Sequence, residues 1–564
     1  IDAKLCKIRQ WLSAPDPSTN YQKALKLRQA DTGLWFLDSD AYTRWKSAAT
    51  TPLWLYGIPG CGKTILSSTV LQDVLQHCQD DPGKVIAYFF FDFNDVKKQD
   101  PEIMVRSLLC QLSQQSIKIP ASLDALFSLC ESGQRQPSIR ALMDALQLII
   151  QDLPQVYIVL DALDECAQRV ELMEMVEMTV KWKVPNLHLL VTSRRERDIE
   201  SSLEGCVDPQ NSICLQSEVV DKDIQHYVRQ RLSDDKALSK WGKDIALRQE
   251  IETALMEGSK GMFRWAVCQL DTLGKCRNRA MLRKALKALP PTLDTTYDRI
   301  LCAIAKEDAD YAIRVLLWLA FSDRPLAVDE VAEVIAIDVA RDPAFDREEV
   351  LEDPLEALDI CSSLVTIATD DSNRRLESTR QVAVLAHYSV KEYLVSDRIQ
   401  QGQAARYSMQ SAACHSTIAK ACLGYLGQFQ SPEPMAENTF GEYKLARYSA
   451  EFWLSHAQKT GDRAAETSRA ALCLLSRDNA AYLNWIRIHN PDRPWEGSKF
   501  VRAIEGTLNP LYYAALYGLG QVTRLLLEKD TNVNAQGGHY GNALQAASAR
   551  GHEAVVRLLL DKDA

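Results

Sequence analysis

Gly57-Ile58-Pro59-Gly60-Cys61-Gly62-Lys63-Thr64 constrains this chain more than any other stretch. The pattern is G-x-x-x-x-G-K-T. It follows the apolar run Leu53-Trp54-Leu55-Tyr56 and precedes a helical stripe of Ile65, Leu66, Val70, Leu71, Val74 and Leu75. A strand, a glycine-rich turn and a helix in that order aim successive main-chain N–H groups into one concavity, which the positive end of the helix reinforces. Such a concavity cradles phosphate. Gly57, Gly60 and Gly62 let the backbone curl, Lys63 reaches the β- and γ-phosphates, and Thr64 offers its hydroxyl to Mg²⁺. The expected cofactors are ATP or ADP with Mg²⁺. Cys61 reads as a small loop residue in preference to a redox switch.

A phosphate loop of this kind needs a carboxylate for the metal, ordinarily at the tip of a second buried strand. Gln155-Val156-Tyr157-Ile158-Val159-Leu160-Asp161 fits, and the chain continues Ala162-Leu163-Asp164-Glu165. Asp161 is expected to support Mg²⁺, directly or through water, and Asp164 or Glu165 to orient an attacking water. Leu187 to Ser193 reads as the next strand, ending in hydroxyls, with Arg194 as a third phosphate contact. The plainer alternative for Arg194 is a solvated basic turn shared with Arg195 and Arg197.

These runs and Val85 to Asp92 alternate with helical patterns such as Glu102 to Gln115 and Ile139 to Gln151, which implies a parallel, buried sheet. From about residue 205 the strand signal fades and the helical period dominates, through Asp221 to Leu232, Met262 to Leu273 and Tyr311 to Phe321. The tail repeats. Asn509, Leu511, Ala514, Gly518, Val522, Arg524 and Leu525-Leu526-Leu527 recur 33 residues later as Asn542, Leu544, Ala547, Gly551, Val555, Arg557 and Leu558-Leu559-Leu560. That period is the ankyrin period, with Asn509-Pro510-Leu511 opening the first helix, Gly518 ending it with a left-handed cap, and Val522 to Leu527 forming the second.

At 564 residues the chain has room for about four domains. Lys plus Arg total 65 against 75 Asp plus Glu, and the net charge of -10 disfavours a main role in gripping nucleic acid or an anionic membrane. The 15 cysteines form no C-x-x-C pair, a reduced pattern that points to the cytoplasm. Apolar runs are strand-length, so no membrane span is expected. A start at Ile1 and a stop after two repeats suggest a piece of a longer polypeptide with further repeats.

Asp161 followed by a small residue and Asp164-Glu165 resembles the NACHT form of the second nucleotide motif, and Thr192-Ser193-Arg194 resembles that family's sensor strand. With the repeats, the chain resembles fungal NACHT-ankyrin proteins of the STAND class of P-loop NTPases, relatives of NLR receptors. The resemblance implies a multidomain α/β plus α architecture. Its parts are an N-terminal helical segment (1–50), a NACHT P-loop core with a parallel sheet (51–205), a helical lid (206–290), a winged-helix domain (291–400), a helical linker domain (401–505) and ankyrin repeats (506–564). Asp31-Thr32-Gly33-Leu34-Trp35 is similar to a segment associated with the adenine pocket. Gly258 to Ala266 resembles the fungal lid, without the proline that many relatives place against adenine, and Leu289-Pro290-Pro291-Thr292-Leu293 resembles the link that follows. Asp323-Arg324-Pro325-Leu326 opens the winged helix and Leu385 to Leu394 closes it. There the resemblance implies that His387 touches the β-phosphate of ADP, while Tyr388 stands where the plant motif has an acid.

The function so implied is a switch. It encloses ADP at rest, favours an opened, homo-oligomerising form with ATP, hydrolyses slowly if at all, and senses a protein partner through the repeats. The fungal proteins of this kind act in non-self recognition and programmed cell death, usually with an effector module before the nucleotide domain. The alternative is an ankyrin interaction scaffold whose nucleotide domain is structural or inactive. A constitutive P-loop enzyme fits less well, for want of a substrate-side motif and given the acidic balance.

Overall fold

The computed structural model describes residues 2–564 except 48–51, 80, 82, 117, 216–217, 371–379, 431–439, 477–479, 493–508 and 530. The Thr50-Thr51 break and the expected boundaries at 50/51 and 505/506 lie outside the described residues. The chain divides into two compact units, one of Ile1–Tyr297, Ala368–Gln381 and His387–Ser389, the other of Asp298–Ile367, Val382–Ala386 and Val390–Ala564.

The first unit is built on five strands: β1 (Leu53–Tyr56), β2 (Lys84–Phe90), β3 (Gln155–Asp161), β4 (Leu187–Ser193) and β5 (Ser212–Cys214). They lie in the order β2-β3-β4-β1-β5, with every pair parallel. Runs of β-branched and aromatic residues with almost no polar interruption suit strands covered on both faces, and β4 is buried at all of its positions. Helices Pro101–Gln115 and Ile139–Asp152 bring Leu108, Leu109, Leu112, Leu146 and Ile149 against Phe89, Ile158, Leu160 and Val191 in one core.

β3 and β4 occupy the predicted spans, and β2 ends at Phe90, short of Asp92. β5 is the strand that apolar patterning misses. It has three residues, all at least partly exposed, because it pairs with β1 alone at the sheet edge. β1 sits between β4 and β5, and β4 between β1 and β3, so the carboxyl ends of β1, β4 and β3 open side by side. In open parallel sheets, ligands bind at such an edge.

N-terminal helices brace this sheet. Trp45 Nε1, from helix Asp40–Ser47, donates to the carbonyl of Leu189 at 3.0 Å, and the Tyr157 hydroxyl donates to the carbonyl of Lys46 at 2.9 Å. Further helices follow at Glu218–Asp234, Ile245–Ser259, Phe263–Gly274 and Arg279–Lys287. The turn through Lys260 and Gly261, both with positive φ, sets the direction of helix Phe263–Gly274, and Trp265 Nε1 anchors it to the carbonyl of Pro290 at 2.9 Å.

Helix Ala309–Phe321 belongs to the second unit, as do β6 (Leu326–Ala327), the first half of β7 (Val365–Asp370) and most of β8 (Arg380–Leu385), strands of a small sheet in the order β6-β8-β7. β6 and β8 are antiparallel, with Leu326 opposite Ala383. Helices Ser411–Leu426, Ala446–Gln458, Ala464–Leu474 and Ala480–Ile488 come next. The tail forms two helix pairs, Pro510–Leu516 with Gly520–Leu527 and Ala543–Ala549 with Glu553–Leu560. Asn509 and Asn542 cap the first helix of each pair through Leu511 N–H and Gln545 N–H. Gly518 and Gly551 take φ of 67° and 72° between the helices of each pair. Among the described residues no helix is long and apolar enough to cross a membrane.

Candidate functional site

β1 delivers the chain into the glycine loop, and Gly57 N–H donates to the carbonyl of Ser193 at 3.3 Å, which ties the loop to the end of β4. Gly60 and Gly62 take φ of 75° and 95°, the left-handed turns that allow the loop to wrap before helix Lys63–Gln79 begins. Lys63 Nζ donates to the carbonyls of Gly57 at 3.0 Å and Ile58 at 3.2 Å, so its ammonium lies across the mouth of the loop. Thr64 is exposed at the first turn of the helix. The carbonyl of Gly60 accepts the N–H of Arg264, from helix Phe263–Gly274, at 3.2 Å.

At the tip of β3 the chain turns sharply through Ala162, whose φ is 58°, into a 3-10 turn over Leu163–Glu165. Thr192, buried in β4, holds this corner. Its hydroxyl donates to Asp161 Oδ1 at 2.6 Å and accepts Ala162 N–H at 2.9 Å. Asp161 is 1% exposed, and its Oδ2 has no hydrogen-bond partner among the described residues. Burial pushes its carboxyl above the usual range, against the opposing pull of the Thr192 and Thr64 hydroxyls and the Lys63 ammonium. The unpartnered Asp161 oxygen and the nearby Thr64 hydroxyl are hard-oxygen donors suited to Mg²⁺, and the Lys63 ammonium suits the phosphate that would share the metal's shell.

Asp164 and Arg194 are engaged with each other. Arg194 Nε lies 2.9 Å from Asp164 Oδ2, and Arg194 N–H donates to Asp164 Oδ1 at 3.0 Å. Glu165 Oε2 accepts Phe93 N–H at 3.1 Å, and burial together with Asp164 and Asp92 holds its carboxyl well above the ordinary range. The ring of Tyr388 covers Arg194, 4.8 Å from the guanidinium carbon. His387 packs in the same unit. Its Nδ1 accepts Ser389 N–H at 3.1 Å and meets Ser389 Oγ at 2.7 Å, which puts the proton of the neutral ring on Nε2. Loss of water, then Arg264, Lys63 and Arg194, drive its pKa well below the usual imidazole value.

The structure thus brings Gly57, Gly60, Gly62, Lys63, Thr64 and Asp161 to one sheet edge, with Asp164, Glu165, Arg194 and His387 around them. Sequence reasoning assigned no role to Arg264, although Gly258 to Ala266 carried it, because nothing in the pattern says which residue of that stretch meets the loop. It also missed Asp223, which accepts Gly33 N–H at 2.8 Å and Trp35 Nε1 at 3.0 Å. No sequence signal marks that acid.

Residues 31–194 match the family described as Nephrocystin 3, N-terminal, and residues 297–410 match that described as GPI inositol-deacylase, winged helix domain. The azaphilone pigments biosynthesis cluster protein L of Monascus ruber is 34% identical over 390 residues, covering 65% of this chain and 80% of that protein. The chain belongs to the same family as that protein L. The vegetative incompatibility protein HET-E-1 of Podospora anserina is 26% identical over 379 residues, which cover 65% of this chain but only 26% of HET-E-1. These matches support a STAND NTPase-like fungal protein, and this chain carries a NACHT-like domain with a nucleotide-binding, NLR-like character. Among solved structures, the Aeropyrum pernix ORC1 protein in complex with DNA has a TM-score of 0.30 at 12% identity, over 69% of this chain and 96% of that one. A likeness that slight carries no functional weight.

Proposed function

We propose that this chain is a nucleotide-operated signalling switch that binds ADP or ATP with Mg²⁺ and passes between a closed and a self-associating state. The observation that carries the proposal is the convergence of Lys63 and the orphaned oxygen of Asp161 at the carboxyl edge of one parallel sheet. The loop amides and Lys63 would hold the phosphates, Thr64 and Asp161 the metal, and Asp164 or Glu165 a water. Arg194 and His387 would read the terminal and β-phosphates. Mg²⁺, when bound, would supply neutralisation of the phosphate charge.

In this proposal residues 51–205 are the nucleotide core, 206–290 the lid, 291–400 the winged helix and 401–505 a helical linker. The helix pairs in 506–564, with their 33-residue period, are ankyrin repeats that engage a protein partner. Turning such a switch from 1:99 to 99:1 requires a preference of roughly 5.5 kcal/mol for the open state. The biological setting proposed is fungal non-self recognition or programmed cell death, with slow hydrolysis as the reset. The decisive experiment is mass analysis of the nucleotide that co-purifies with wild type and with Lys63→Ala. Wild type retains ADP and the variant loses it; equal retention refutes the site.

A second proposal is an ankyrin scaffold with an inactive nucleotide domain. The pairing of Asp164 with Arg194 favours it, because each occupies the group that hydrolysis would need. Wild type purifying free of nucleotide supports it.

A further inference from the structure

Tyr388 has no part in the switch as proposed above, yet it touches its centre. Its ring lies 4.8 Å from the guanidinium carbon of Arg194, and Phe93 meets it edge-on with centroids 5.1 Å apart. Beneath the ring, Arg194 is bound to Asp164 twice, once through Nε at 2.9 Å and once through its main-chain N–H at 3.0 Å. Phe93 also fixes the second acid, since its N–H holds Glu165 Oε2. The side chains of Asp164 and Arg194 are only 4% and 12% exposed. A guanidinium on an aromatic face gains more as water is removed, and here the ring supplies the lid over the ion pair.

Two neighbours place that ring. Ser389, next in the chain, meets the Tyr297 hydroxyl at 2.7 Å, and His387, just before, is tied to Ser389 through Nδ1. Three consecutive residues therefore engage three separate parts of the first unit at once. His387 lies within the field of Lys63 and Arg264, Tyr388 lies on Arg194, and Ser389 contacts Tyr297.

We infer that Tyr388 is a positioning residue that clamps Arg194 onto Asp164, so that these two groups mask each other until residues 387–389 withdraw. The clamp stands on the geometry alone; what the two groups do once parted rests on the nucleotide-switch proposal. The chemistry of the ring, not its bulk, decides the outcome. Phenylalanine keeps the face that Arg194 needs and leucine does not.

The test is hydrogen exchange on the full chain without added nucleotide, followed in peptides that contain Arg194, for wild type, Tyr388→Leu and Tyr388→Phe. The Arg194 amide is the reporter because its acceptor is Asp164 Oδ1. Loss of a partly buried cation–π contact predicts exchange about 5- to 30-fold faster in Tyr388→Leu, with Tyr388→Phe close to wild type and remote peptides unchanged. Equal protection in all three chains, or equal loss in both variants, overturns the clamp. In a second measurement, ATP hydrolysis by Tyr388→Leu exceeds that of wild type, and hydrolysis no faster than wild type overturns the masking. Failure of the nucleotide proposal itself registers elsewhere, as unaltered nucleotide retention by Lys63→Ala.

Discussion

Gly60 lies so close under Arg264 that a Cβ built on it would stand 2.6 Å from Arg264 Cβ, while Gly60 O accepts Arg264 N–H at 3.2 Å. The glycine loop and helix Phe263–Gly274 therefore meet backbone to backbone, which only a residue without a side chain permits. Gly60→Ala must also adopt a φ near +75°, a conformation costing of order 1–3 kcal/mol for an L-residue. The expected result is nucleotide affinity lower by about tenfold or more with an unchanged far-ultraviolet circular dichroism spectrum. Titration of a labelled nucleotide into wild type and variant decides it, and equal affinities would mean that the loop does not need helix Phe263–Gly274 at this point.

Thr192 governs Asp161. Its hydroxyl supports Oδ1 at 2.6 Å and satisfies Ala162 N–H, so Thr192→Val strands a buried donor and frees the carboxylate to rotate. Second-sphere losses of this type typically weaken metal affinity by about 10- to 100-fold. We expect Thr192→Val to raise the Mg²⁺ concentration needed for tight nucleotide binding by that order, and Thr192→Ser to remain near wild type. A magnesium titration that does not separate valine from wild type removes Thr192 from the site.

The parts of this site legible in the sequence were those that local spacing encodes. The G-x-x-x-x-G-K-T turn, and an acid at the end of an apolar strand, are set by neighbours in the chain, and β3 and β4 fall on the residues that their apolar runs predict. What stayed hidden depends on partners far apart in sequence. Arg264 meets Gly60 across about two hundred residues, and Asp223 meets Gly33 across 190. β5 was invisible because a three-residue edge strand buries too little to show a pattern. The role sketched for Arg194 came from its place after β4; its engagement with Asp164 and Tyr388 is a tertiary fact that no strand pattern contains.

His387 offers a pH test with a definite sign. Without nucleotide its pKa lies well below the ordinary value, through lost hydration and the charges of Arg264, Lys63 and Arg194. A polyphosphate placed among those cations neutralises them and raises the imidazole pKa, so the bound state takes up protons that the free state does not. Binding then strengthens as pH falls from the nucleotide-bound imidazole pKa toward the lower nucleotide-free one, by at most about tenfold per pH unit. Comparing ADP affinity between pH 8 and 5 in wild type and His387→Ala cancels the titration of the ligand itself. The wild-type curve should rise more steeply toward acid; parallel curves would leave His387 a packing residue.

His415 and His456 predict how the second unit fails in acid. Their Nδ1 atoms are 2.8 Å apart, His456 Nε2 is 2.8 Å from the Tyr448 hydroxyl, and that hydroxyl accepts Asp323 N–H at 3.0 Å. With both rings neutral, one Nδ1 of the pair carries the shared hydrogen and the other accepts it, and His456 Nε2 completes the chain to the Tyr448 hydroxyl. A further proton would have to enter the shared contact. Burial is the main reason that the pKa of His415 falls to about 4 and that of His456 to about 3. Lys459 opposes charge on both, Lys391 opposes it on His415, and Asp323 favours it. In the unfolded chain both titrate near 6.5. As pH drops from 6.5 toward 4, the unfolded state therefore binds protons that the native state refuses. Stability falls by up to about 1.4 kcal/mol per pH unit for each histidine, and the slope ends only once the folded pKa values are reached. Denaturant midpoints between pH 7 and 4 should decline in wild type and decline less in His415→Leu, which lacks one of the two titrating rings. Identical slopes would mean that the pair is charged or hydrated in the folded chain, contrary to the closed hydrogen-bond chain from Asp323 to His415.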